Sequence, residues 1–305
     1  MSGTKSGAPI AAETPGDGVP TDRLDIVRDG LAVHTVHRAP HPPFEPDSPH
    51  VDAVRPAVNR GRRQGEGFER TGRPDMLLLH YTGMDGPGER ALGWLCSPRS
   101  VVSAHYFVFE DGRIVQTLPE AVRAQHAGLS FWHGERDNNS RSIGVEIAHP
   151  GHLEVGRGGV LRPFPPEQIE AVARLCADIV ARLAIPHERV LAHSDIAPER
   201  KQDPGELFPW RVLHERGAGH WVEPAPLRAG TFFQEGDRGQ PVEALQAMLA
   251  RYGYNAPVTG TFDAQTRLCV LAFQRHFRPE RVDGIADPST VQTLYEALKA
   301  LPPRA

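Results

Sequence analysis

Three histidines stand apart from the rest by their surroundings. His80 closes the apolar run MLLLHY, His193 closes VLAH, and His105 lies inside VVSAHYFVF. The carboxyl end of a buried strand is where α/β sheets commonly bind ligands. One such histidine alone reads as a satisfied core residue. Two of them beside a carboxylate suit zinc, which takes N and O ligands from rigid elements and keeps one position open. The stretch HSDIAPERKQDPG at 193–205 supplies the carboxylates Asp195, Glu199 and Asp203, and residue types alone leave the choice among them open. It also holds Lys201. The chain has 34 Lys plus Arg but only three lysines, Lys5, Lys201 and Lys299, two of them near the termini. A lone lysine among carboxylates points to a need for a compact ammonium rather than a guanidinium fork. His34, His37, His41, His50, His214 and His220 read as histidines of polar loops.

Short apolar elements must hold these groups in place. The unbroken run MLLLHY is the pattern of a strand buried on both faces. VVSAHYFVF (101–109) and RIVQTL (113–118) flank Glu110-Asp111-Gly112 and predict a hairpin with an Asp-Gly turn. In SIGVEIAH (142–149), Ile143, Val145 and Ile147 alternate with Gly144 and Glu146, as in a strand with two unlike faces. Residues 86–96 predict a short helix. Over 165–183, Ile169, Val172, Leu175, Cys176, Ile179 and Leu183 fall on one helical stripe. VLAH (190–193) is a further strand, and residues 38–75 read as loop. The sum is an α/β fold with a mixed central sheet flanked by helices.

A Pro/Ala/Gly stretch, VEPAPLRAG at 222–230, marks a boundary. Amphipathic helices are expected beyond it at 242–254, 264–277 and 288–301. The last two follow the related turns VTGTFDAQT and VDGIADPST, in which Asp or Ser can cap a helix. The expected division is a flexible arm at 1–24, a main domain at 25–222, a linker at 223–230 and a separate three-helix domain at 231–301.

The net charge of −4 lacks the basic excess of a nucleic-acid binder. No apolar run approaches the ~20 residues that span a bilayer. Cys96, Cys176 and Cys269 are far apart without C-x-x-C spacing and read as small buried hydrophobes.

Taken in order, LLLHYTGM, SAHYFV, EDGRIVQTLPE, HAGLS, NNSRSIGVEIAHPG and HSDIAPERKQDPGELFPW resemble the zinc-dependent N-acetylmuramoyl-L-alanine amidases of the AmpD/AmiD type. These share their fold with peptidoglycan recognition proteins. The likeness covers about 76–212. The region after the boundary resembles the three-helix peptidoglycan-binding module often attached to cell-wall hydrolases. The resemblance implies Zn2+ on His80, His193 and Asp203, with Asp195 structural. It implies Glu146 as catalytic base and Lys201 as the cation that meets the oxyanion, while His105 and His126 line or support the cleft. The family's aromatic residue before H-A-G is here Gln125, for which Phe131 or Trp132 would compensate.

The implied reaction cuts the amide between the lactyl group of N-acetylmuramic acid, ordinary or 1,6-anhydro, and L-alanine of the stem peptide. Two other classes would carry the same motifs: a non-catalytic peptidoglycan-binding protein, and a zinc peptidase acting within the stem peptide. The expected partner is peptidoglycan or a muropeptide, with no nucleic acid and no membrane span. The polar N-terminal segment has no leader-like apolar stretch. That predicts a cytoplasmic protein acting in recycling; the wall-binding tail favours the periplasm instead.

Overall fold

The computed structural model describes residues 24–29, 32–37 and 41–303, so the expected arm lies almost wholly outside it. In chain order the strands are β1 (Leu24–Asp29), β2 (Ala32–His37), β3 (Ala53–Val54), β4 (Arg60–Gly61), β5 (Met76–Tyr81), β6 (Tyr106–Val108), β7 (Ile114–Gln116), β8 (Ser142–Ile147) and β9 (Val190–Ala192). The helices are α1 (Glu66–Thr71), α2 (Gly88–Leu95), α3 (Asn138–Arg141), α4 (His152–Gly156), α5 (Pro166–Leu183), α6 (His193–Ile196), α7 (Trp210–Glu215), α8 (Gln240–Tyr252), α9 (Ala264–Phe277) and α10 (Pro288–Lys299).

Two expectations need correcting. His34 and His37 sit on β2, in a small sheet of order β1-β2-β4, rather than in a loop. The stretch 38–75 also contains β3, β4 and α1. The pairings at β3 and β4 are two residues long, too short to show a period of two.

The main sheet has the order β3-β7-β6-β8-β5-β9. It is mixed, as expected: β5 runs parallel to β8 and β9, β6 runs parallel to β8, and β6 and β7 form the antiparallel hairpin. Each face of this sheet has its own cover. Leu77, Leu79, Ile143, Val145, Ile147, Val190 and Ala192 pack with Ile169, Val172, Leu175, Cys176 and Ile179 of α5. Met76, Leu78 and Leu191 point the other way, and their core is shared with Leu245, Leu249, Tyr252, Tyr254, Phe273 and Phe277. The C-terminal helices therefore share a core with this face of the central sheet, together with Ala127, Trp132, Ile196 and Ala197.

This docking differs from the separate unit expected from the sequence. Trp132, fully buried, packs edge-on against Tyr252 and Tyr254. Gly253 ends α8 at φ 141°, and a Cβ there would lie 2.5 Å from Cε2 of Trp132. Only glycine lets the two chains approach so closely. The stretch after 222 has no regular structure, yet it lies along α10: Thr293 Oγ1 accepts from Ala225 N at 3.0 Å, and Ser289 Oγ donates to Ala225 O at 2.5 Å.

Within the tail the two related turns have a shared construction. Asp263 caps α9 through Thr266 N at 2.8 Å, and Asp287 caps α10 through Thr290 N at 2.7 Å. Before each turn a helical glutamine accepts from its backbone: Gln246 from Thr259 and Gly260, and Gln274 from Asp283 and Gly284. Among the described residues no helix is long and apolar enough to cross a membrane.

Candidate active site

Strand periodicity assembles the site. Along β5 the residues Met76, Leu78 and His80 share a face. Gly144 and Glu146 on β8 share it too, as do Leu191 and His193 at the end of β9. In register, His80 pairs with Glu146. Because β5, β8 and β9 are parallel, His80, Glu146 and His193 all arrive at the carboxyl end of the sheet, where backbone pairing stops and side chains can face a ligand. Asp203 comes from the loop after α6; its carbonyl accepts from Ser194 N at 3.0 Å, which clips that loop to the helix carrying His193.

Three atoms converge on one point. Nδ1 of His80 lies 2.8 Å from Nδ1 of His193, and Oδ2 of Asp203 is 3.1 Å and 3.0 Å from the two nitrogens. All three side chains are buried. Hydrogen-bond bookkeeping fixes the tautomers. Ser142 Oγ donates to Asn138 O at 2.5 Å, so it can only accept from Nε2 of His126 at 3.2 Å. Nδ1 of His126 is then an acceptor for Nε2–H of His80 at 3.0 Å, which leaves Nδ1 of His80 bare. Nε2 of His193 donates to Ala127 O at 3.1 Å and leaves its Nδ1 bare as well. Two lone pairs and a carboxylate oxygen aimed at one point repel one another unless a cation sits among them. The donor set, two imidazole nitrogens and one carboxylate, is a metal site of the kind that takes a divalent ion and leaves positions open.

Electrostatics agree with that chemistry. Burial, with the neighbouring His193 ring adding, lowers His80 to about 4, so the imidazole is neutral and able to ligate. Burial alone would raise the Asp203 carboxyl, but positive charge beside it, as on the facing His193 and His80 rings when protonated, holds it well below the usual carboxylate range. Burial pushes Glu146 up to about 8; the Asp203 carboxylate adds to this and Lys201 opposes it. Oε2 of Glu146 is buried and has no hydrogen-bond partner among the described residues. Lys201 is half-buried, and among the described residues its Nζ makes no hydrogen bond or ion pair. Both groups border the same cleft as His80, His193 and Asp203, a cavity of about 770 Å³.

The remaining candidates separate clearly. Asp195 does not border the cleft. Its carboxylate accepts from Ala192 N at 2.8 Å, Tyr254 Oη at 2.7 Å and His276 Nδ1 at 2.7 Å. Glu199 stands exposed at the rim. His105 is one layer back: Nδ1 accepts from Gly144 N at 2.9 Å, and Nε2 donates to Val122 O at 3.1 Å. Gln125 is buried, and neither it, Phe131 nor Trp132 lines the cleft. Trp132 cannot stand in for an aromatic substrate wall because it is committed to the seam with α8. Sequence reasoning missed the C-terminal side of the cleft altogether: Arg267, Leu268, Leu271 and Arg275 of α9 line it. The helical stripe of α9 was visible in the sequence, but the identity of its neighbour was not.

Comparison with known proteins gives a concordant result. Residues 70–206 match the family described as N-acetylmuramoyl-L-alanine amidase, and residues 238–294 match a peptidoglycan binding domain family. The chain is 40% identical over 232 residues to the N-acetylmuramoyl-L-alanine amidase AmiD of Escherichia coli K12, covering 73% of this chain and 81% of that protein. It is 34% identical over 159 residues to the 1,6-anhydro-N-acetylmuramyl-L-alanine amidase AmpD of Enterobacter cloacae, covering 47% of this chain and 80% of that one. Among solved structures, the complex of E. coli AmiD with anhydro-N-acetylmuramic acid-L-Ala-D-gamma-Glu-L-Lys superposes with a TM-score of 0.63 at 37% identity, over 78% of this chain and 92% of that one. AmpDh3 from Pseudomonas aeruginosa superposes with a TM-score of 0.61 at 30% identity, over 74% and 91%.

Proposed function

The chain belongs to the N-acetylmuramoyl-L-alanine amidase family, and on that premise we propose that it works as a zinc enzyme with His80, His193 and Asp203 as ligands. Its reaction is hydrolysis of the amide joining the lactyl carbonyl of N-acetylmuramic acid to the amine of L-alanine. The observation that carries the zinc reading is the convergence of two unprotonated Nδ1 atoms and one carboxylate oxygen within 3.1 Å of one another. When bound there, zinc lowers the pKa of a water toward about 7 and polarises the carbonyl.

The chain's own residues do the rest. Glu146, whose Oε2 faces no donor among the described residues, takes a proton from the attacking water. It returns that proton to the alanine nitrogen as the C–N bond breaks, so the amine leaves neutral and the muramoyl fragment is left as a carboxylic acid, which loses its remaining proton to solvent. A carboxyl pushed up by burial holds a proton more readily than an ordinary carboxylate, which suits the return half of that transfer. Lys201 Nζ, without a hydrogen-bond or ion-pair partner among the described residues, meets the oxyanion that develops on the lactyl oxygen. His126 and Ser142 hold the His80 ring in the ligating tautomer. We assign the three-helix region beyond the 223–230 stretch a second role in holding the polymer, in line with its match to a peptidoglycan binding family.

The test is to incubate the protein with soluble anhydro-muropeptides and with intact sacculi, with and without a chelator, and to analyse products. The expected product is intact stem peptide bearing a free L-alanine amine, released only when metal is present. Shorter peptides would identify a stem-peptide peptidase, and release of nothing, with no bound metal, would identify a binding protein.

A further inference from the structure

The helix α9 belongs to the C-terminal unit, yet one of its stripes forms a wall of the catalytic cleft. Arg267, Leu271 and Arg275 recur at every fourth residue and so stack on one face, with Leu268 beside them. The opposite stripe, with Cys269, Val270, Phe273 and Phe277, is committed to the core. Two guanidinium groups are thus carried to the cleft by an element whose other side is fixed.

Neither guanidinium is satisfied by the described residues. Arg267 is exposed, and among the described residues its side chain makes no hydrogen bond or ion pair. The Arg275 side chain is only 12% exposed, and its Nε is buried with no hydrogen-bond partner. The carboxylate facing it, Oε2 of Glu206, lies 3.8 Å away and already accepts from His152 Nε2 at 3.1 Å. A largely buried cation with half a partner is costly unless something else supplies an anion. Lys201 borders the same cavity, so three cationic side chains face a negatively charged guest there.

The chemistry of the substrate offers such a group. In the ligand bound by the solved relative, alanine is followed by a γ-linked D-glutamate, and γ-linkage leaves the α-carboxylate free. That carboxylate lies one residue beyond the bond to be cut, within about 4–8 Å of it at the reach of an extended chain. We propose that Arg267 and Arg275 form a carboxylate subsite that reads the γ-linked D-glutamate of the stem peptide, so that the C-terminal unit is part of the enzyme's specificity. A planar fork matches a carboxylate through two parallel hydrogen bonds, which a neutral carboxamide cannot reproduce. This inference rests on the amidase reading.

The experiment uses the full chain and two synthetic muramoyl tripeptides, identical except that the glutamate α-carboxylate is a carboxamide in one of them. The wild-type protein should favour the carboxylate substrate in kcat/KM by roughly ten- to hundredfold, the worth of a hydrogen-bonded charge pair. Arg267→Gln and Arg275→Gln should each pull that ratio toward one, mainly through KM. Arg267 is exposed, so its variant decides the matter even if Arg275→Gln folds poorly. A wild-type ratio near one, or a ratio unmoved by Arg267→Gln, overturns the subsite while leaving the amidase intact. A protein that cuts neither substrate overturns the amidase reading and the subsite with it.

Discussion

The hydroxyl of Tyr254 donates to Oδ1 of Asp195 at 2.7 Å, and Asp195 stands two residues after His193 in the same short helix. One carboxylate thereby ties the C-terminal unit to the segment that carries a metal-facing histidine. Its second oxygen accepts from His276 of α9 and from the backbone at Ala192, so three donors depend on it. Tyr254→Phe should lower unfolding stability by roughly 1.5–3 kcal/mol, the range for a hydrogen bond to a charged group. Ending the chain near Pro226 should cost far more. It would remove Leu245, Leu249, Phe273 and Phe277, each worth roughly 1.5–3 kcal/mol of burial, from the core they share with Met76, Leu78 and Leu191, and leave Asp195 without two of its partners. Thermal unfolding and activity on soluble muropeptides check both. A truncated chain that stays monomeric and fully active would show that the C-terminal helices are dispensable.

The metal site has no spare ligand. His80→Ala, His193→Ala and Asp203→Ala should each lose stoichiometric zinc and hydrolysis together. Metal content measured after dialysis, beside turnover of the same samples, is the readout. Retention of one zinc per chain by Asp203→Ala would assign the third ligand elsewhere.

Gly144 tests the support behind His80. A Cβ at this position would lie 2.5 Å from Cγ of His126, within the ring that holds the His80 tautomer. Gly144→Ala should therefore push His126 away and weaken zinc affinity by about 10–100-fold, the usual effect of disturbing the partner of a ligating histidine. Competition with a fluorescent chelator measures it. Unchanged affinity with a native circular dichroism spectrum would mean that His80 holds its orientation without His126.

Glu146→Gln should keep zinc and lower kcat by roughly 10²–10⁴, as expected for a lost general base. The pH profile separates its role from that of Lys201. Burial raises Glu146, Asp203 raises it further, and Lys201 lowers it. The base works ionised, so activity climbs as pH rises through its pKa. Removing the Lys201 charge with Lys201→Gln takes away the group that favours ionisation, so the rising limb must move to higher pH while kcat falls. A limb that stays in place, or moves toward acid, would show that Lys201 does not act on the base.

Much of the site was legible because strands have a period of two and their ends are conspicuous. His80 and His193 each close a short apolar run, and both reach the same edge. Asp203 could not be chosen over Asp195 from spacing alone, since both follow His193 closely. What separates them is partners: one carboxylate faces two imidazoles, the other faces a tyrosine, a histidine and a backbone amide. The docking of the tail has a trace in the sequence. An unbroken MLLL implies a strand covered on both faces, and α5 can cover only one. The missing second cover pointed to the C-terminal helices, whose apolar stripes needed a surface. The residues of β3 and β4 left no comparable trace, because a two-residue pairing has no pattern to read.

The shared core also sets an order of assembly. On the ribosome the strands β5, β8 and β9 emerge long before α8 and α9, so the core that Met76, Leu78 and Leu191 share with these helices is incomplete while the chain is still being made. An incompletely covered apolar core is prone to sticking to its neighbours. The metal-facing end of α6 likewise waits for Tyr254 and His276 before Asp195 has all its donors. The donor set of Asp195 is thus assembled only after α9 has been translated, later than every strand of the sheet it supports.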